Sequence, residues 1–246
     1  MADLRNYQNR AQTGTQTGEM IDQGLRTHML KVYNLMALGL TITGIAAFLT
    51  FQMAFADGQL TGFGQAIYVS PLKWVVMLAP LAMVFFLSFR IQTMSVAAAQ
   101  TTFWVYAGLM GLSLSSIFMI YTGQSIVQTF FVTAAAFGGL SLYGYTTRRS
   151  LSAMGSFLIM GLFGLIIASV VNIFLASSAL DFAISAIGVL VFAGLTAWDT
   201  QRIKESYFEA DGADVAGRKA IMGALQLYLD FVNLFLFLLR FMGNRN

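Results

Sequence analysis

The feature that most constrains this chain is its last apolar run, Ile221–Met242, I-M-G-A-L-Q-L-Y-L-D-F-V-N-L-F-L-F-L-L-R-F-M. A helix needs about 20 mostly apolar residues to cross a bilayer. This run has that length, with a carboxylate, Asp230, near its middle. Asn233 lies three residues on and Gln226 four residues before, so all three side chains share one helical face. An aspartate at the bilayer centre costs about 2.5–3.5 kcal/mol on insertion scales. Asp230 is therefore expected to face protein or water and to carry a function. The other helices are expected to form a jacket around this one.

Six further apolar stretches precede it: Val32–Ala56, Trp74–Phe89, Phe103–Tyr121, Ile126–Tyr145, Leu151–Leu175 and Leu180–Trp198. Only 10% of residues are charged, against about 25% in a soluble domain. The chain is expected to be an all-α membrane protein with seven spans in one domain, residues 28–246. A polar tail over 1–27, expected to be cytoplasmic and mobile, lacks the apolar core of a signal peptide. The long connection Asp57–Lys73 carries Gly58, Gly62, Gly64 and Pro71. The short one, Thr122–Ser125, makes the third and fourth spans antiparallel neighbours. Ala107, Gly111 and Ser115 form a small-residue stripe on the third span, and Ala134 and Gly138 do so on the fourth. Both stripes are expected to serve helix packing.

Lysine and arginine gather in cytoplasmic loops. With the N-terminus inside, eleven of them (Arg5, Arg10, Arg26, Lys31, Arg90, Arg148, Arg149, Arg202, Lys204, Arg218, Lys219) fall on the inner side. Lys73, Arg240 and Arg245 fall outside. The split predicts N-in, C-out. The net charge of +3 is dispersed, with no basic run of the kind that binds nucleic acid. There is no cysteine and one histidine, His28, which excludes disulfides and His-rich zinc sites. No nucleophile–base constellation or phosphate loop is present, so the chain is not expected to be an enzyme, and no tightly bound cofactor is expected.

No Asp or Glu occurs between Asp57 and Asp181. The acids placed for burial are Asp230 and Asp199, the latter in G-L-T-A-W-D-T-Q-R-I-K at the inner end of the sixth span. If the sixth helix continues past Trp198, the two carboxylates reach similar depth and can meet. Two carboxylates in contact cannot both ionise cheaply, so the pair tends to share a proton and acts as a pH sensor. Its oxygens also attract calcium, though two carboxylates are too few for a tight cage of about six to eight ligands. Weak binding suits conduction, where the ion must leave again. Arg90, after the uncharged second span, is a candidate counter-ion and gate. Asn172, Asn233 and Gln226 are candidate lining for a polar pore.

These residues resemble the Bax-inhibitor family, the transmembrane proteins with a Bax-inhibitor motif. The likeness rests on L-Q-L-Y-L-D-F-V-N-L-F-L-F-L-L-R (Leu225–Arg240) and on A-W-D-T-Q-R-I-K (Ala197–Lys204). F-R-I-Q-T-M-S after the second span and the seven-span layout support it. The segment L-R-T-H-M-L-K-V-Y-N-L-M-A-L-G-L is similar to bacterial members, which places the chain in a bacterial inner membrane. The resemblance implies six helices around a central seventh and a pH-sensitive calcium leak. It matches Asp199 and Asp230 to the family's paired aspartates and Arg90 to the arginine ending its second helix. Some members carry an additional acid in that second helix; this sequence has none. The expected function is thus a passive, pH-gated cation leak passing calcium. The alternative is a non-conducting protein that regulates another membrane complex, such as a membrane-bound protease. Expected partners are the lipid bilayer, calcium, protons and other membrane proteins.

Overall fold

The computed structural model describes residues 2–246, with side chains from Gln23 onward. The expected mobility of the tail falls largely on residues 1–22, outside the described side chains. Seven helices are long and apolar enough to cross a membrane. They are α1 (Ala2–Ala54), α2 (Leu72–Arg90), α3 (Val96–Leu114), α4 (Gly123–Thr146), α5 (Ser152–Leu175), α6 (Ser178–Glu205) and α7 (Ala213–Met242). The chain is an all-α membrane protein.

Hydropathy marks the spans but underestimates the helices. α6 continues past Trp198 to Glu205, and α7 begins eight residues before Ile221. Backbone hydrogen bonding runs on into the interface, where polar side chains are tolerated, so composition changes before the helix ends. The helix starts have local causes. Ser95, Thr122 and Ser177 each accept a hydrogen bond from a first-turn N–H of α3, α4 and α6, which satisfies a donor that the helix itself leaves free.

The long connection after α1 is more ordered than its glycines suggest. Phe55–Ala56 and Gln59–Leu60 form a two-residue hairpin. Asp57 and Gly58 both have positive φ, 51° and 75°, the geometry of the tight hairpin turn that an Asp-Gly pair favours. A single turn at Gly62–Gly64 and a wider turn at Gln65–Val69 follow. Tyr68 ties this segment to the end of α3 through a 2.8 Å hydrogen bond with Ser115.

α7 is the most buried of the seven helices. It packs against α1, α3, α4 and α6, whereas α2 rests mainly on α3 and α5 mainly on α6. Glycines permit the closest approaches. A Cβ on Gly144 of α4 would fall 2.1 Å from the Ala197 carbonyl oxygen of α6, and one on Gly111 would fall 2.5 Å from that of Thr43 in α1. The stripe Ala107–Gly111–Ser115 is accordingly buried. The second stripe behaves otherwise: Gly138 is exposed, and a Cβ there meets nothing within 4 Å. The expectation that Gly138 packs a neighbouring helix is corrected, because Gly138 lines a cleft between α1 and α4.

Between α1, α3 and α7 the core is aromatic. The Tyr106 and Tyr228 rings meet edge to face at 5.4 Å, with Phe103 against both. The Tyr228 hydroxyl pairs with Thr43 Oγ1 at 2.6 Å, so one face of α7 is locked to α1. The opposite face is left for α6.

Candidate functional site

On that face α6 and α7 run side by side, and each contributes one aspartate. Asp199 is six residues from the end of α6, about 9 Å along the axis at 1.5 Å per residue. Asp230 is seventeen residues into α7. The two come level because α7 overshoots: its first turns pass beyond the end of α6, where Lys219 Nζ donates to the Ser206 carbonyl at 2.9 Å. Both aspartates are only 4% exposed, and their carboxyl groups are close neighbours. Two carboxyl groups that close cannot both ionise cheaply. Among the described residues these are the buried acids.

The site is asymmetric. Gln226, one turn before Asp230, donates from Nε2 to Asp199 Oδ1 at 2.6 Å. Its Oε1 accepts from Arg202 Nη2 at 2.9 Å. Arg202 follows Asp199 by three residues, places Nε 4.0 Å from Asp199 Oδ1 and lies over the Trp198 ring at 5.0 Å. Asp199 is therefore served by an amide and a guanidinium. Asp230 Oδ2 has no hydrogen-bond partner, an unsatisfied buried oxygen of the kind that marks a functional or strained position.

The other candidates are elsewhere. Arg90 ends α2 with an exposed side chain and makes no ion pair among the described residues. The cation beside the pair is Arg202 instead, because it rides on the same helix as Asp199, one turn further on. Asn172 is at the far end of the bundle, where its Oδ1 accepts from the Ser177 N–H in the α5–α6 turn. It therefore shapes a connection and does not line a path to the pair. Asn233 donates back to the Leu229 carbonyl of its own helix at 2.8 Å. Of the three amide candidates, Gln226 is the one that touches an aspartate.

Two further polar residues brace the site. Gln201, 3% exposed, accepts from the Leu151 N–H at 2.8 Å and donates to the Arg149 carbonyl at 2.9 Å. It thereby ties α6 to the start of α5. Thr200 hydrogen-bonds Ser141 at 3.0 Å, and Ser141 hydrogen-bonds the Tyr33 hydroxyl at 2.6 Å, which links α6, α4 and α1. The signal in the sequence was the unbroken polar run Asp199–Arg202 inside a helix. No group of three or more His, Asp or Glu side chains converges among the described residues. A cation at the pair would have two carboxyl groups, with Arg202 opposing it and the Gln226 amide oxygen turned away to Arg202. Two carboxyl groups are far fewer than the about six to eight oxygens of a tight calcium cage.

The fold and the site define a multi-pass integral membrane protein built around a buried aspartate pair. The chain belongs to the family described as inhibitor of apoptosis-promoting Bax1, which matches residues 25–246. It is 52% identical over 235 residues to an uncharacterized protein of Rickettsia prowazekii, covering 95% of this chain and 96% of that one. Over 226 residues it is 47% identical to an uncharacterized protein of Caulobacter vibrioides, covering 91% and 90%. The inner membrane protein YbhL of Escherichia coli is 46% identical over 224 residues, covering 90% and 93%.

Proposed function

We propose that the chain is a passive leak pathway for calcium and other cations in the bacterial inner membrane, closed and opened by protonation of Asp199 and Asp230. The observation that carries this reading is the placing of two buried carboxyl groups side by side on neighbouring helices, with Gln226 and Arg202 beside one of them. A purely structural polar contact has no need of it. A neutral pair would join α6 to α7 at lower desolvation cost.

At high pH the pair holds one proton and one negative charge. Gln226 of α7 donates to ionised Asp199 and accepts from Arg202, both on α6, and this charge-assisted bridge latches α7 to α6. As pH falls the pair takes up a second proton, and the hydrogen bond from Gln226 across to α6 loses its charged acceptor. The latch weakens and α6 and α7 separate. A one-unit difference in proton affinity between latched and unlatched states is worth about 1.4 kcal/mol, a tenfold change in population. The latched state favours the ionised form, so acid favours opening. Calcium needs at least one ionised carboxylate, so its flux peaks at intermediate acidity. The bias of positive residues supports an inside N-terminus and an outside C-terminus.

The test is calcium flux into proteoliposomes of purified protein, with Asp199→Asn and Asp230→Asn as variants. Flux that rises on acidification in the wild type and loses its pH dependence in both variants supports the gate. Absence of flux across the pH range in folded wild-type protein favours the regulator of another membrane complex.

A further inference from the structure

We propose that the seam between α1 and α4 is a lateral binding site for one acidic phospholipid, with its phosphate at Arg26 and an acyl chain lying in the cleft. Both helices pack on α7, yet they barely touch one another. The gap has two compartments. One, about 650 Å³, lies toward the basic end of the bundle and is lined by Arg26, Tyr33, Asn34, Phe137, Gly138 and Ser141 among others. The other, about 280 Å³, lies deeper and has Phe118, Phe130, Phe131, Phe231 and Phe235 in its walls. Phe137 and Phe231, edge to face at 5.5 Å, stand between them. The rim residues Leu30, Leu142, Val127 and Phe131 are exposed, so the seam opens sideways into the bilayer.

The chemistry of the walls is graded as a phospholipid is graded. Arg26 is exposed at the cleft's basic end, at headgroup level. Asn34, two turns or about 12 Å deeper on α1 and also exposed, offers an amide below the headgroup. The hydrogen-bonded hydroxyls of Tyr33 and Ser141 sit beside it. Beyond Phe137 the lining is almost wholly aliphatic and aromatic. Among the described residues no acid lines either compartment, and Arg26 supplies a positive group that complements a net-negative headgroup. A partner helix is the competing occupant. It is about 10–12 Å across with side chains and needs a continuous open face, which the Phe137–Phe231 contact interrupts. A flexible acyl chain does not need one.

The glycines supply the control. Gly138 lines the larger compartment, and a Cβ there meets open space, so Gly138→Leu fills the cleft without displacing a helix. Delipidated full-length protein is titrated with dioleoyl phosphatidylglycerol and bound lipid is counted by native mass spectrometry. Dioleoyl phosphatidylcholine provides the zwitterionic comparison. We expect one retained phosphatidylglycerol, bound about fivefold more tightly than phosphatidylcholine, the discrimination one basic residue supplies. Arg26→Gln should bring the two lipids level. Gly138→Leu should lose both while melting at the wild-type temperature, and inorganic phosphate at millimolar concentration should not displace the lipid. Equal retention of the two lipids by the wild type would overturn the proposal. So would displacement by inorganic phosphate, or Arg26→Gln with wild-type discrimination. A photo-crosslinker at position 138 should label lipid in native membranes; a crosslinked polypeptide instead would assign the seam to a partner helix.

Discussion

Replacing Arg202 with alanine separates the latch described here from one built on Arg90. Arg202 Nε stands 4.0 Å from Asp199 Oδ1. Two unit charges at that distance attract by about 1 kcal/mol at the dielectric of water and about 4 kcal/mol at an effective dielectric of 20. The Arg202 side chain is 53% exposed, so screening dominates and the lower figure applies, in line with about 0.2–1 kcal/mol for exposed ion pairs. The sign follows from which form the arginine favours. It stabilises ionised Asp199 in the latched state, so its loss lets the pair take its second proton at higher pH. Dividing 1 kcal/mol by about 1.4 kcal/mol per pH unit moves the activation midpoint of calcium flux up by at most about 0.7 unit. The assay is dye-reported flux in proteoliposomes over a pH series. Arg202→Lys, which keeps the charge but not the fork that reaches Gln226, should recover part of the shift. Arg90→Ala should leave the midpoint in place. A midpoint that moves with Arg90→Ala and stays with Arg202→Ala would refute the reasoning.

Three further outcomes are expected. Gly144→Val should lower the melting temperature, because its Cβ would meet the Ala197 carbonyl at 2.1 Å and overpacking costs about 1–3 kcal/mol; a melting temperature equal to wild type would show that α4 and α6 are further apart. Tyr228→Phe deletes the 2.6 Å hydrogen bond to Thr43 and should cost about 0.5–1.5 kcal/mol of stability. It should leave the pH profile of flux unchanged, since that hydroxyl faces α1; a displaced profile would join the tyrosine cluster to the gate. A reporter enzyme fused after Asn246 should be active outside the membrane, and cytoplasmic activity would reverse the orientation.

Much of the architecture was legible in the chain because the bilayer permits few solutions. Each spanning segment must satisfy its own backbone hydrogen bonds, so seven long apolar runs become seven helices, and the observed spans overlap all seven. Asp230 stood out for the same reason: a carboxylate inside an apolar run has a large desolvation cost that something must offset. What the sequence alone did not determine was which side chains meet. Arg90 and Arg202 both lie near the C-terminal ends of helices, and it is the packing of α6 on α7, and of α2 on α3, that brings Arg202 and not Arg90 to the pair. Asn172 and Gln226 are both amides in apolar helices, yet one finishes a turn at the far end and the other bridges the pair. Gly138 reads like Gly111, since both are small residues on apolar helices. The difference is that α3 lies against α1 while a cleft lies between α4 and α1. Hydropathy and spacing act along one chain and are local. Helix packing, the overshoot of α7 past the end of α6 and the partner each polar group finds are set by contacts between segments far apart in sequence, and the tertiary structure alone decided them.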